Sequence, residues 1–155
     1  MTADRIAELE AQHEELVFPG FDHTDAWRLG SLITAAAREA SHPVAIDIRR
    51  PGFVLFRAAL PGTTPDQDSW IAAKAQTVFR MEAASALVTL RLSAAGIDAA
   101  ALGWLPFPAY ALAGGSVPVR VAGVGVVATV TASGLSSDDD HDLIVAGMRQ
   151  FLAVA

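Results

Sequence analysis

The chain has 155 residues, of which 52% are hydrophobic and 18% charged, and its formal net charge is −6. A chain of this length is expected to form a single domain over residues 1–155 with a core that needs no disulfide, and the sequence contains no cysteine. The acidic balance and the lack of a basic run exclude nucleic acid and argue against docking on anionic lipid. No apolar stretch suits a signal peptide or a membrane span, so we expect a cytoplasmic protein.

Apolar residues are more frequent, and charged residues less frequent, than in an average soluble domain. A small domain has a large surface relative to its core, so part of this apolar content is expected at a subunit interface. The composition therefore predicts a homo-oligomer.

Hydrophobic spacing predicts two helices at the start of the chain. The first occupies residues 1–18 and is ended by Pro19 and Gly20, and the second begins at residues 22–25 and continues to Ala40. Gly30 lies inside the second helix, where glycine costs about 1 kcal/mol relative to alanine, so we expect close packing against a neighbour there.

The pattern then changes from helical spacing to alternation, which predicts strands. Residues 43–50 and 53–60 form a predicted hairpin around an Arg-Pro-Gly-Phe turn. Thr64, Pro65 and Gln67 have the spacing of a helix start, and they introduce a predicted helix that ends near residue 84. The later predicted elements, in chain order, are a helix over 85–96, strands over 116–121 and 125–133, and a helix over 137–151.

Helices in runs and strands in hairpins predict an α+β fold, with an antiparallel sheet flanked by helices. Pro118 cannot donate a ladder hydrogen bond, so its strand is expected at an edge of the sheet or with its nitrogen facing outward.

Several short motifs occur in a fixed order along this framework. An arginine precedes a Gly-containing loop, a Lys-Ala pair is followed by a threonine, a Gly-Gly pair precedes a proline, and a Ser-Gly pair precedes an acidic helix start. The residues are Arg57, Gly62, Lys74, Ala75, Thr77, Gly114, Gly115, Pro118, Ser133, Gly134, Asp140 and His141.

In these motifs the chain resembles the haem-degrading-domain family, which includes the HbpS- and GlcG-like proteins, and in particular its shorter cytosolic branch. The resemblance covers residues 21–153. It implies a profilin-like α-β-α layered domain in a symmetric homo-oligomer. Because some members of the family bind haem, it also makes haem or another anionic planar ligand the expected ligand class.

The run Ser-Ser-Asp-Asp-Asp-His-Asp opens the last helix. Ser136 or Ser137 is expected to cap it, and acidic side chains in a first turn complement the positive end of the helix dipole. A cap does not require a histidine, so His141 is equally interpretable as a site residue or a surface residue. No His-x-His or His-x-x-x-His spacing accompanies it, and we predict no metal site.

The other candidate ligand-binding residues have structural interpretations beside the functional ones. Lys74, beside Trp70 and Val78, is either partly buried with a lowered pKa, bound to a carboxylate, or placed with its stem on the edge of the core and its ammonium in water. Arg57 either binds an anion or pairs with Asp47 across the hairpin. Of Gly114 and Gly115, one suits a sharp turn and the second suggests close approach by a ligand or a neighbouring subunit.

The first functional hypothesis is therefore a small-molecule-binding domain with Arg57, Lys74, Gly114, Gly115 and His141 at its pocket. The alternative is an enzyme acting on a small acid, in which His141 is the general base, Asp140 orients it and Lys74 stabilises negative charge. A third hypothesis is a non-catalytic oligomeric scaffold. We favour binding because of the resemblance and of the few polar residues that its motifs bring together. Ser133 lacks the Gly-x-Ser-x-Gly setting of a hydrolase nucleophile.

Overall fold

The computed structural model describes residues 2–154 as five helices and five strands. The helices are α1 (Thr2–Glu15), α2 (His23–Glu39), α3 (Asp66–Met81), α4 (Ser85–Ala94) and α5 (Ser137–Ala153). The strands are β1 (Val17–Phe18), β2 (Ala45–Arg50), β3 (Phe53–Ala59), β4 (Ser116–Val121) and β5 (Gly125–Ser133). None of the helices within these residues is long and apolar enough to cross a membrane.

The strands form one sheet in the order β1-β4-β5-β2-β3, and the predicted α+β class is confirmed. The β2–β3 and β4–β5 hairpins are antiparallel, and β2 joins them by pairing antiparallel with β5, from Ala45 opposite Ser133 to Arg49 opposite Thr129. The sheet therefore has β1 and β3 at its edges and the β2–β5 pair at its centre.

Helices cover both faces of the central strands. Successive strand residues point to opposite faces, and in β2 both Ile46 and its neighbour Asp47 are fully buried. On the face of Ile46, α2 packs so closely on β3 that a Cβ at Gly30 would lie 2.4 Å from the Phe56 ring, which confirms the expected close packing. On the face of Asp47, an ion pair links Arg57 to Asp68 of α3.

The first helix is shorter than the predicted helix over residues 1–18. Helix α1 ends at Glu15, and Val17 and Phe18 form β1, which pairs parallel with Arg120 and Val121 of β4. Proline disfavours helical geometry in the residue before it, and Pro19 follows directly. The extended backbone of Phe18 is then held by β4, and its side chain is buried in the core.

Strand β1 pairs with only the last two residues of β4, so Pro118 lies outside that pairing. By strand order β4 is an internal strand, so the expected edge position is not observed; Pro118 instead lies in the part of β4 that has no partner on the β1 side. On its other side Pro118 faces Thr129 of β5.

Candidate functional site

The most unusual polar contact in the core joins α3 to the start of α5. The Nζ of Lys74 lies 3.2 Å from Oδ2 of Asp140 and 3.1 Å from the carbonyl oxygen of Ala132. Lys74 is 3% exposed and Asp140 is 2% exposed. The second carboxylate oxygen of Asp140 accepts a hydrogen bond of 2.9 Å from the backbone N–H of Leu135. The structure therefore holds a hydrogen-bonded ion pair where charge is ordinarily excluded.

Burial brings the pKa values of Lys74 and Asp140 closer to each other. It lowers the pKa of Lys74 and raises the pKa of Asp140, because a low-dielectric interior disfavours the charged form of each. The charge and hydrogen bond of the partner oppose each shift without cancelling it. The proton between Nζ and the carboxylate is therefore shared more evenly than it would be in water.

The local sequence of α5 explains why Asp140 turns inward. Ser136 is the N-cap, and its Oγ accepts a hydrogen bond of 3.1 Å from the N–H of Asp139, as the capping pattern predicts. Asp138 and Asp139 then lie exposed in the first turn. Asp140 is one further step around the helix, which points its carboxylate into the core.

Gly114 and Gly115, the pair before β4, both lie where a side chain would collide with neighbouring atoms. A Cβ at Gly114 would be 2.5 Å from the carbonyl oxygen of Ser137. Gly115 has φ +131°, and a Cβ there would be 2.5 Å from the carbonyl oxygen of Ala132 and 2.8 Å from Nζ of Lys74. The missing side chain of Gly115 is therefore part of the space that the ammonium group occupies.

A surface groove of about 280 Å³ opens beside the ion pair. The polar and aromatic residues that line it are Gln67, Trp70, Lys74, Ser133, Ser137 and Asp140. They offer an indole face, an amide, two hydroxyls, an amine and a carboxylate. We call this feature the Lys74 groove.

Lys74 is the single lysine of the sequence, which otherwise contains ten arginines. An arginine carries its charge permanently and presents a planar fork, whereas a lysine is compact and can lose its proton. The chain thus uses arginine at every other basic position and a lysine at its most buried one.

His141 lies apart from the Lys74 groove. Its Nε2 is 2.7 Å from Oε1 of Gln12 in α1, its Nδ1 has no hydrogen-bond partner, and the ring is 1% exposed. Burial, helped by the positive charge of Arg5, lowers the pKa of His141 to about 4. Consecutive helix residues point about 100° apart, so Asp140 and His141 face different neighbours and no hydrogen bond joins them.

The cavity next to His141 has a volume of about 10 Å³, the space of roughly one water molecule. It is enclosed mainly by apolar side chains of α1, β4 and α5, including Leu9, Val117 and Val145. His141 is therefore placed as a buried, neutral polar group of the core.

Arg57 also lies outside the lining of the Lys74 groove. Its guanidinium is 3.1 Å from Oδ2 of Asp47, which is the hairpin pairing that the sequence allowed, and it also pairs with Asp68. Asp47 is fully buried and receives two further hydrogen bonds from Arg49. The structure thus brings Lys74, Gly115 and Asp140 together and leaves Arg57 and His141 elsewhere.

A second groove was not predicted from the sequence. It has a volume of about 550 Å³ and combines His23 and Arg50 with the apolar side chains of Phe21, Leu55 and Val127. His23 begins α2 and Arg50 ends β2, so the fold alone brings an imidazole and a guanidinium together. We call it the His23 groove. Among the described residues, no three His, Asp or Glu side chains converge as a metal ion would require.

The sheet order and the helices on both faces define an α+β domain in which a five-stranded sheet lies between helices. The chain matches the family model described as "Haem degrading protein HbpS-like" over residues 21–149, and it belongs to that family. The predicted resemblance is confirmed.

The relatives and the solved structures agree with this membership. The UPF0303 protein SCO2848 of Streptomyces coelicolor is 52% identical over 151 residues, which are 97% of this chain and 96% of that protein. A UPF0303 protein of Burkholderia cenocepacia is 42% identical over 143 residues, 92% of this chain and 87% of that protein.

Two crystal structures show the same fold. That of the Ybr137w protein superposes with a TM-score of 0.87 at 28% identity, covering 96% of this chain and 88% of that one. A complex of PduOC with haem superposes with a TM-score of 0.69 at 19% identity, covering 84% of this chain and 94% of that one.

Proposed function

We propose that this chain is a small-molecule-binding domain and that its ligand occupies the Lys74 groove. The observation that carries the proposal is the position of the single lysine, nearly fully buried yet on the wall of an open groove. Burying an ion pair commonly contributes little to stability compared with apolar packing. The presence of Lys74 and Asp140 in the core is therefore better explained by a role in binding than by a contribution to stability.

The walls of the groove indicate a small anionic or planar ligand. The ammonium of Lys74 has three hydrogens; two face Ala132 and Asp140, and in this proposal the third meets an acceptor of the ligand. The hydroxyls of Ser133 and Ser137 add further donors, and the half-buried indole of Trp70 offers a flat apolar face. A volume of about 280 Å³ is at the small end of ligand pockets, which span about 300–1,000 Å³, so the groove suits a short acid or a single ring.

The test is a thermal-shift and calorimetric screen of small carboxylates and aromatic acids against the native chain and the Lys74→Met/Asp140→Asn variant. We expect a saturable ligand whose affinity falls at least tenfold in the variant, with the fold checked by circular dichroism. Arg38→Met, at a distant surface, is the matched control and keeps the affinity. Equal binding by the double variant would overturn the proposal.

Haem is a second candidate ligand, and the His23 groove favours it. Haem is considered because the fold is similar to that of PduOC, which was crystallised in complex with haem. The residues present fit the group: His23 supplies an imidazole, Arg50 a guanidinium suited to a propionate, and Phe21 and Leu55 apolar contact. The volume of about 550 Å³ lies within the usual range for ligands. Bound haem would bring its redox-active iron to this groove.

Haem titration followed in the Soret band tests this candidate. We expect a saturable shift in the native chain that His23→Ala abolishes and His42→Ala, at another surface, preserves. His141 is not the expected iron ligand, since the cavity beside it admits about one water. A saturable shift of the same affinity in His23→Ala would contradict a haem site in this groove.

We also propose that the chain forms a homo-oligomer through the free edge of β3. That strand pairs only with β2, and Phe53 and Val54 on it are 50% and 44% exposed. An open edge without lysine or proline favours pairing with another strand, and antiparallel pairing of β3 with itself satisfies two-fold symmetry. Light scattering should show a dimer or a multiple of it, which Val54→Lys weakens. A monomer at micromolar concentration would refute this interface.

A further inference from the structure

We infer that Lys74 captures carbonyl compounds covalently: a small aldehyde or 2-oxo acid enters the Lys74 groove and its carbonyl carbon bonds to Nζ as an imine. This inference rests on the proposed function of the groove and names the chemical class of its ligand. It gives Lys74 a role as a nucleophile in addition to a role as a cation.

The choice of residue is the first argument. Ten other basic positions in the chain are arginines, so a positive charge alone is supplied by arginine throughout. An arginine cannot be deprotonated in a protein, whereas an amine without its proton is a nucleophile toward carbonyl carbon. Lys74 is the only side chain in the sequence with that chemistry.

The space around the amine is the second argument. A Cβ at Gly115 would lie 2.8 Å from Nζ, so glycine at this position leaves the room that the amine itself occupies. The hydrogen bonds to Ala132 and Asp140 hold Nζ in one place, and Lys74 lines the groove. An amine held in place beside an open groove suits the approach of a carbonyl group.

The partner of the amine is the third argument. Asp140 is buried and lies 3.2 Å from Nζ, within reach of direct proton transfer. Burial lowers the pKa of Lys74 and raises that of Asp140, so transfer from the ammonium to the carboxylate is easier here than in water. Asp140 can therefore hold the proton while the amine reacts.

The reaction balances without an oxidant or a reductant. The lone pair of Nζ forms a bond to the carbonyl carbon, and the C=O electron pair moves to oxygen, which takes the proton held by Asp140. Nζ of the carbinolamine then gives one proton back to Asp140, which passes it to the hydroxyl. The hydroxyl leaves as water, and the nitrogen lone pair forms the second bond to carbon, which gives the protonated imine beside the Asp140 carboxylate. Amine plus carbonyl gives imine plus water.

The remaining walls of the groove suit a short 2-oxo acid. Once Nζ is bonded to the carbonyl carbon, the adjacent carboxylate needs donors of its own. The hydroxyls of Ser133 and Ser137 and the amide of Gln67 lie along the same groove and can donate to it. Trp70 faces the remaining carbons.

The experiment incubates the native chain with pyruvate and sodium cyanoborohydride, and reads intact mass and peptide maps. Because the sequence has one lysine, the ε-amine adduct is identified without ambiguity and the α-amine of residue 1 is an internal reference. We expect one adduct per chain at Lys74, formed at least tenfold faster than in the urea-unfolded chain. Labelling of Lys74 no faster than in the unfolded chain, or adducts at the α-amine alone, would overturn the inference.

Two variants test the part played by Asp140. Asp140→Asn keeps the shape of the side chain and removes its proton affinity, so we expect the adduct to form at least tenfold more slowly. Asp139→Asn removes an exposed carboxylate of the same helical turn and should leave the rate unchanged. Equal rates in the two variants would remove Asp140 from the reaction.

Lactate separates this inference from the proposal on which it depends. It has the carboxylate and size of pyruvate but no carbonyl. Saturable binding of lactate, lost in the Lys74→Met/Asp140→Asn variant, without a Lys74 adduct from pyruvate, would leave the binding function standing and refute the imine. Absence of both binding and adduct would refute both for this ligand class.

Discussion

At the scale of single residues, the buried ring of His141 makes the stability of the fold depend on pH. Its pKa is about 4 in the folded chain, against 6.5 when the histidine is free. As pH falls below 6.5, His141 is protonated in the unfolded chain but stays neutral in the folded chain until pH is near 4. The free energy of unfolding therefore decreases between pH 6.5 and 4. Linkage at 1.36 kcal/mol per unit gives a loss of about 2 kcal/mol between pH 7 and 5.

Urea unfolding at pH 7 and pH 5 measures this loss. His141→Gln keeps a polar group opposite Gln12 and removes the titration, so the difference between the two pH values should shrink by about 2 kcal/mol. His42→Gln, at a partly exposed position, is the control and should keep the full difference. A pH response unchanged by His141→Gln would show that another group causes it.

The buried ion pair makes a second prediction at this scale. Lys74→Met leaves the carboxylate of Asp140 without its partner in the core, and breaking a buried pair from one side costs about 3–5 kcal/mol. Lys74→Met/Asp140→Asn removes both charges and should restore most of that loss. A double-mutant cycle by chemical denaturation gives the coupling energy. Additive effects would mean that the two groups do not interact.

At the scale of elements, the backbone before β4 is fixed by Gly115. A φ of +131° is a region open to glycine alone, and a Cβ would also clash with the carbonyl oxygen of Ala132. Gly115→Ala is therefore expected to cost about 3 kcal/mol or more. Gly52→Ala is the matched control: its φ is +72° with nothing within 4 Å, and it should cost about 1–2 kcal/mol. Equal decreases in melting temperature for the two variants would show that the collision of the new Cβ with the Ala132 carbonyl oxygen does not destabilise the fold.

The elements that the sequence predicted well are those defined by neighbouring residues. The β2–β3 hairpin follows from alternation around a Pro-Gly turn, and the Ser136 cap from its spacing to Asp139. Strand β1 was not predictable in this way, because two residues become a strand only through a partner more than a hundred positions later. Helices and strands of several residues can be predicted from local sequence patterns, whereas a two-residue strand depends on pairing with a distant part of the chain.

The candidate site was predictable only in part for the same reason. Lys74 and Gly115 were identified as candidates, but the ion pair of Lys74 with Asp140 spans 66 residues. The Ser136 cap fixes how the three aspartates are distributed around the helix, but which of those directions faces the core depends on how α5 packs against β4 and β5. His141 was grouped with the site by its neighbour in sequence, although the helix turns the two side chains apart. No sequence signal indicated that His23 and Arg50 line the same groove.

At the scale of the whole molecule, α1 and β1 contribute side chains to the core although the family match begins at residue 21. Leu9, Leu16 and Phe18 are at most 3% exposed, and Gln12 holds His141. A chain beginning at Pro19 would uncover these contacts and the edge of β4. We expect it to lose cooperative thermal unfolding as followed by circular dichroism. Retention of the native melting temperature would show that α1 and β1 are dispensable.

The sheet order also constrains when the molecule can fold during its synthesis. The centre of the sheet joins residues 45–49 to residues 129–133, so its longest-range pairing waits for nearly the entire chain. A nascent chain that stops before β4 has the first hairpin and four helices. Strand β3 then covers one edge of β2, and the other edge, which pairs with β5 in the folded protein, is open. Contacts of such sequence separation slow folding and lengthen the exposure of open strands. The ribosome-bound intermediate is thus the stage at which this apolar chain is most exposed to aggregation.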